Sequence, residues 1–123
     1  MRMIFVLLIA CAVIASAAAC SSSHGSHAGP PQEIPCAVNL VLQNVCQQCH
    51  AAPPKNEAPF PLVTYDDTQR DVSGKPLWTY MKSALEAGRM PAPPVELSPA
   101  DRDTLIAWLG DGAPPRPEGT TCP

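Results

Sequence analysis

The sequence predicts a small all-α domain of about four helices over residues 36–123. Apolar residues recur at helical spacing, as in Val38, Val41, Leu42 and Val45. No segment shows the period of two that a half-buried strand requires. Chains of this size seldom bury enough apolar surface unaided, and they usually need a disulfide, a metal or another bound group. We therefore expect a helical domain with a staple.

The first two helices flank a proline-rich loop. The apolar pattern predicts an amphipathic helix over residues 37–49. Residues 51–61 contain four prolines, which excludes regular structure there and predicts a loop. Thr64 followed by Asp67 resembles a capping box, which predicts a short helix over residues 65–70.

Helix start and stop signals also bound the last two helices. Pro76 suits a first helical turn, and the pattern then continues to a natural stop at Gly88. Ser98 is a favourable N-cap and is followed by Pro99 at the first helical position. The fourth helix is therefore expected to run from there to Gly110.

The N-terminal residues have the composition of a secretory signal. Arg2 precedes an apolar run over residues 3–14, and small residues follow over 15–19. The run is too short for an ordinary transmembrane helix. We expect residues 1–19 to be a signal peptide, so that the mature chain lies outside the cytoplasm.

The signal ends in a sequence that resembles the lipobox of bacterial lipoproteins, Ala-Ala-Ala-Cys, with Cys20 as the acylated residue and three serines after it. Ala17 departs from the usual leucine of that box. The letters around Cys11 fit better, but cleavage there leaves an apolar region of only about seven residues. The alternative is cleavage without a lipid. An acylated Cys20 predicts a stable membrane anchor.

Residues 20–35 are rich in Ser, Gly, His and Pro and are expected to form a flexible tether. His24 and His27 lie in it, where solvated linker histidines are more common than metal ligands. Without Arg2 the chain carries seven cations and eleven anions, a net charge of about −4. With no basic patch, this balance argues against nucleic acid as a partner.

Residues 46–50 read Cys-Gln-Gln-Cys-His and are the most informative segment of the chain. Cysteines at i and i+3 lie on one face of a helix, so both thiols can reach the two vinyl groups of one haem. His50 then lies below the iron. We expect Cys46 and Cys49 to attach one covalent haem c.

Other interpretations of the two cysteines are weaker. A thioredoxin-like redox pair needs a preceding strand, whereas a helical pattern precedes Cys46. A zinc site needs a second ligand pair, and the sequence has none at CxxC or HxxxH spacing. A disulfide between i and i+3 inside a helix is strained.

The second axial ligand decides between an electron carrier and a haem enzyme. Met81 lies at core spacing inside the third helix, where methionine usually packs. Met90 follows the helix stop and precedes Pro91, in a loop stiffened by three prolines within residues 91–94. We expect Met90 to be the ligand, with Met81 or an open sixth position as alternatives.

Three motifs together resemble the small monohaem c-type cytochromes of bacteria, of the class I type. They are Cys46-Gln47-Gln48-Cys49-His50, Met90-Pro91, and the final helix at Leu105-Ile106-Ala107-Trp108-Leu109 with its exit at Gly112-Ala113-Pro114. The likeness covers about residues 36–114. In many members a Gly-Pro after the haem motif places a backbone carbonyl on the histidine, whereas this chain has Ala58-Pro59.

The resemblance implies a cytochrome c fold around one haem, ligated by His50 and Met90. It implies single-electron transfer in the periplasm or at the cell surface, between a redox protein donor and a redox protein acceptor. His/Met ligation raises the reduction potential relative to harder ligands. The alternatives are a haem enzyme or a gas or peroxide sensor with a displaceable sixth ligand, and a haem-free surface lipoprotein.

Cys36 and Cys122 bracket the domain. In an oxidising compartment they can form a disulfide that closes a long loop, and the alternative is two unpaired thiols. A further set of side chains can hydrogen-bond a haem propionate, although each is more often a packing or solvated residue. That set is Arg89, Tyr65, Tyr80, Trp78 and Trp108.

Overall fold

A computed structural model of the protein describes residues 30–123. The signal over residues 1–19, the acylation site Cys20, the alternative Cys11, and the histidines His24 and His27 lie outside the described residues. None of the helices within residues 30–123 is long and apolar enough to cross a membrane.

Helices make up most of the regular structure. They are α1 (Cys36–Asn44), α2 (Tyr65–Gln69), α3 (Leu77–Glu86) and α4 (Pro99–Gly110), with a single 3₁₀ turn at Cys46–Gln48. α4 packs against α1 and α3, and α2 packs against α3. The prediction of a mainly helical domain with about four helices is confirmed.

The structure departs from the predicted all-α architecture at one place. Strands β1 (Asp71–Val72) and β2 (Lys75–Pro76) form an antiparallel hairpin in which Asp71 pairs with Pro76. The connecting Ser73 and Gly74 have φ of 52° and 81°, as a tight hairpin turn requires. Two-residue strands are too short to produce a detectable alternation.

The first helix also ends earlier than its pattern predicts. α1 stops at Asn44, and Val45 leaves the helix with φ −116° and ψ −62°. The backbone then tightens, because the Cys49 N–H donates to the Cys46 carbonyl at 3.2 Å in an i to i−3 bond. The haem-type motif therefore lies on a 3₁₀ turn rather than on the end of α1.

Capping explains why α2 and α4 begin where they do. The Thr64 hydroxyl accepts from the Asp67 N–H at 3.2 Å, while the Thr64 N–H donates to the Asp67 carboxylate at 2.8 Å. At α4 the Ser98 hydroxyl accepts from the Asp101 N–H at 3.1 Å, and Pro99 takes the first helical position. Both predicted starts are confirmed.

The core lies where α4 meets α1 and α3. Leu42, Leu77, Leu105 and Leu109 are almost completely buried. The exit of α4 is fixed by side chains as well as by packing, because the Trp108 indole N–H donates to the Pro114 carbonyl at 2.8 Å. The buried residues of the core cluster are Ile34, Val38, Val41, Leu42, Tyr65, Leu85, Leu105, Trp108, Leu109 and Ala113.

The two ends of the domain are joined. Cys36 and Cys122 form a disulfide with a Cα–Cα distance of 5.4 Å. Arg116 forms an ion pair with Glu33, and its N–H donates to the Glu33 carbonyl at 2.7 Å. Ile34 is 4% exposed, so residues 33–35, which the sequence assigned to the tether, pack onto the domain.

We expect removal of this disulfide to lower the free energy of unfolding by about 4 to 5 kcal/mol in the chain-entropy model, because the bridge closes a loop across 86 positions. A protein carrying both Cys36→Ser and Cys122→Ser is compared with the wild type by denaturant unfolding followed by circular dichroism. An unchanged unfolding midpoint would contradict a stabilising role.

Candidate functional site

A cavity of about 400 Å³ opens on one side of the helical core. It lies between the 3₁₀ turn, the loop over residues 50–62, helix α3 and the loop that follows α3. Its volume is within the range of small-molecule sites, about 300 to 1,000 Å³. Its walls are mostly apolar and include Leu62, Leu77, Leu85, Val95 and Leu105.

The structure brings the predicted motif to this cavity. Cys46, Cys49 and His50 all line it. In a 3₁₀ turn, side chains at i and i+3 eclipse each other, so both cysteines face the same side of the backbone. Both are free thiols. The shorter helix α1 therefore preserves the juxtaposition that the sequence predicted from an α-helix.

The orientation of His50 is fixed by one hydrogen bond. Its Nδ1 lies 2.8 Å from the carbonyl oxygen of Phe60. A carbonyl oxygen only accepts, so Nδ1 carries the hydrogen and donates. The other ring nitrogen, Nε2, then keeps its lone pair. This is the arrangement by which proteins prepare a histidine to ligate a metal.

The loop over residues 50–62 is tied back to the turn at both ends. The Lys55 N–H donates to the Cys49 carbonyl at 2.8 Å, and the Leu62 N–H donates to the His50 carbonyl at 2.9 Å. The Gln47 side chain adds a bond to the Leu62 carbonyl at 2.9 Å. These bonds hold the loop, and with it the Phe60 carbonyl, in position.

The sequence did not predict which group accepts the hydrogen bond from the His50 ring. The departure at Ala58-Pro59 left that role without a residue, and the structure gives it to the backbone of Phe60. The Phe60 ring also stacks on the imidazole, with the ring centroids 5.2 Å apart. A backbone acceptor has no side-chain signature, so only the four prolines of the loop indicated a constrained chain.

Both methionines considered as ligands reach the cavity. Met81 lies on α3, lines the cavity and packs against the core. Met90 lies beyond the end of α3, where its N–H donates to the Ala84 carbonyl at 3.3 Å. Its side chain lines the same cavity and is 39% exposed. Met90 thus lies at the exposed rim of the cavity rather than in the core.

The environment of Cys46 argues against a redox-active thiol pair. Burial raises the pKa of the Cys46 thiol to about 11. Reactive cysteines of thioredoxin-like sites have a lowered pKa, because the thiolate is the nucleophile. No strand precedes the motif within the described residues. Within residues 30–123, no three or more His, Cys, Asp or Glu side chains are placed so that together they could hold a metal ion.

The five side chains considered above as hydrogen-bond partners of a propionate carboxylate fall into two groups. Tyr65 donates its hydroxyl to the Ala113 carbonyl at 3.0 Å, and the Trp108 indole is used at Pro114. Trp78 packs against the core cluster. Only Arg89 and Tyr80 of that set line the cavity.

Asn56 is a further site residue that the sequence did not indicate. Its side-chain amide lies 3.5 Å from the Cys49 sulfur. Asn56 and Glu57 both have positive φ, 51° and 62°, and both line the cavity. Asparagine tolerates the left-handed region better than most residues, whereas Glu57 is strained there.

Comparisons with protein-family models, with curated proteins and with solved structures found no match for this chain.

We expect Cys46 to be a poorly reactive thiol in the folded protein. Raising the pKa from 9.0 to about 11 lowers the thiolate population at pH 8 about a hundredfold. In a Cys49→Ser protein, iodoacetamide labelling of Cys46 should therefore be slow and should rise about tenfold per pH unit between pH 8 and pH 10.

The same protein in urea is the control, because unfolding removes the burial that raises the pKa. Mass spectrometry of the labelled peptide gives the rate for position 46 alone. Equal rates in the folded and the unfolded protein at pH 8 would contradict the burial of Cys46.

Proposed function

We propose that the protein is a one-electron carrier that holds a single haem c in the cavity described above. Cys46 and Cys49 attach the porphyrin, and His50 and Met90 ligate the iron. One observation carries the proposal: two free thiols, an imidazole with its Nε2 available, and a thioether line the same apolar cavity.

The residues present fit such a group on three counts. The cavity wall is apolar, as a porphyrin face requires. The Phe60 carbonyl fixes the tautomer of His50 that leaves Nε2 to the metal. The soft sulfur of Met90 and the imidazole nitrogen are both known haem ligands.

Attachment uses the two thiols directly. Each cysteine would add across one vinyl double bond of a haem, with its sulfur bonding to one carbon and its hydrogen going to the neighbouring carbon. No oxidant is consumed, but both thiols must be reduced when the reaction occurs. The eclipsed positions of Cys46 and Cys49 present them together, and the 3₁₀ turn holds them at a fixed spacing.

The two residues that would ligate the iron, His50 and Met90, are both restrained by the chain around them. His50 is held by its bond to Phe60 and by ring stacking, so it has little freedom to reorient. Met90 follows the bonded end of α3 and precedes Pro91, which restricts its backbone. The chemistry that a bound haem supplies is the gain and loss of one electron at the iron, with the ferrous form favoured by the thioether.

The surroundings favour transfer over chemistry. Met90 would fill the ligand position of the iron that His50 leaves free, so that oxygen or peroxide would find no open site, and leucines contribute to the apolar cavity wall. The proposed function requires a donor protein and an acceptor protein.

The location proposed for the carrier is the extracytoplasmic side of a membrane, in the periplasm or at the cell surface. The signal over residues 1–19 and the lipobox-like sequence at Cys20 support it. A disulfide between Cys36 and Cys122 is also typical of an oxidising compartment.

We expect protein made in cells with haem maturation to be red, with a low-spin visible spectrum in both oxidation states. The colour should survive denaturation and acid extraction, because the thioether bonds are covalent. A colourless preparation would overturn the proposal. High-spin iron that binds carbon monoxide readily would instead favour the enzyme or sensor alternative.

Replacement of the axial sulfur separates the two methionines. Met90→Ala should abolish the low-spin spectrum and lower the reduction potential, because the soft ligand that favours ferrous iron is lost. The matched control is Met81→Leu, a volume-conserving change in the same cavity wall. It should leave the spectrum unchanged. A low-spin Met90→Ala protein beside a high-spin Met81→Leu protein would assign the ligand to Met81.

A further inference from the structure

The proposed haem brings two carboxylates into an apolar cavity. An ionised carboxylate next to apolar walls is costly unless a charged partner or hydrogen-bond donors compensate it. Among the described residues that line the cavity, Glu57 is the only one with a carboxyl group, and Arg89 is the only arginine or lysine. Glu57 repels a carboxylate, so the lining offers one cation.

Two bonds fix the position of Arg89. Its backbone N–H donates to the Ala84 carbonyl at 2.9 Å, and its side-chain Nη2 donates to the Ser83 hydroxyl at 3.2 Å. Arg89 lies three residues beyond Glu86, the last residue of α3, near the carbonyl end of that helix, where a cation is favoured. The guanidinium has five N–H donors. The bond to Ser83 uses one of them, which leaves a fork able to bind a carboxylate.

The other donors considered for this role are committed or distant. The Tyr65 hydroxyl and the Trp108 indole both donate to backbone carbonyls at the exit of α4. Neither residue lines the cavity. Tyr80 does line it, but a neutral hydroxyl compensates a carboxylate less than a guanidinium does.

We propose that Arg89 is the positioning residue that binds a propionate carboxylate of the porphyrin. This inference rests on the proposed function. The partner of the propionate and the sulfur ligand of the iron are then adjacent residues, Arg89 and Met90. The backbone N–H groups of both donate to the Ala84 carbonyl, so the same hydrogen bonds position both residues. Arg89 also places a positive charge at the cavity, which favours the reduced iron over the oxidised iron.

The test compares three purified holoproteins with the wild type. Arg89→Gln removes the charge and the fork, and Arg89→Lys keeps the charge but loses the fork. Lys82→Gln is the matched control, because it removes one cation from α3 at a side chain that pairs with Glu86 at 3.9 Å and does not line the cavity.

Two measurements report on the contact without any activity assay. The propionate bending band in the resonance Raman spectrum responds to hydrogen bonding of that carboxylate. The ratio of reduced to oxidised protein at a fixed applied potential responds to nearby charge. In Arg89→Gln the band should shift and the ratio should fall by roughly three- to tenfold, as for a partly screened unit charge.

Arg89→Lys should shift the band in the same direction while largely keeping the ratio, and Lys82→Gln should change neither quantity. Unchanged bands in both Arg89 proteins would overturn the inference while leaving the haem proposal intact. If Arg89→Gln does not accumulate with haem, the Arg89→Lys band decides the matter. Absence of haem from the wild type and every variant would instead refute the proposed function.

Discussion

The hydrogen bond between His50 Nδ1 and the Phe60 carbonyl is the constraint on which the site depends. It selects the tautomer of the imidazole, and it requires the chain to return to the motif within ten residues. The bonds of Lys55 and Leu62 to the carbonyls of Cys49 and His50 enforce that return. The proline-rich loop is therefore part of the site, since its backbone supplies a hydrogen-bond acceptor for the histidine, a role that a carboxylate side chain often takes in metal centres.

Stability and site share the same residues. Leu85 and Leu105 belong to the hydrophobic core and also line the cavity. Cys46, whose thiol is proposed to bind the porphyrin, packs against that core as well. A group that fills the cavity would therefore extend the apolar contacts of a domain too small to bury much surface alone. Because Leu85 belongs to α3 and Leu105 to α4, those contacts would involve both helices.

Much of this arrangement follows from local sequence signals. The caps at Thr64 and Ser98 predicted helix starts, because each hydroxyl accepts from an otherwise unpaired backbone N–H of its own helix, whatever residues pack around it. The spacing within residues 46–50 was enough to predict that Cys46, Cys49 and His50 lie together. The Phe60 acceptor and the early end of α1 at Asn44 depend on where distant backbone returns, and no side-chain pattern encodes that. The burial of Ile34 could not be predicted from the sequence, because a single apolar residue shows no hydrophobic periodicity.

The join between the chain ends has a mechanical consequence. A pull on the segment that precedes Glu33 is transmitted to residue 36 and, through the covalent bridge, to residue 122. The force is shared between α1 and the segment that follows α4. The contact of Arg116 with Glu33 bears part of this force before it reaches either helix. The two chain ends are thus joined by both a disulfide and an ion pair. A force applied at this end of the domain therefore acts on α1 together with the segment that follows α4.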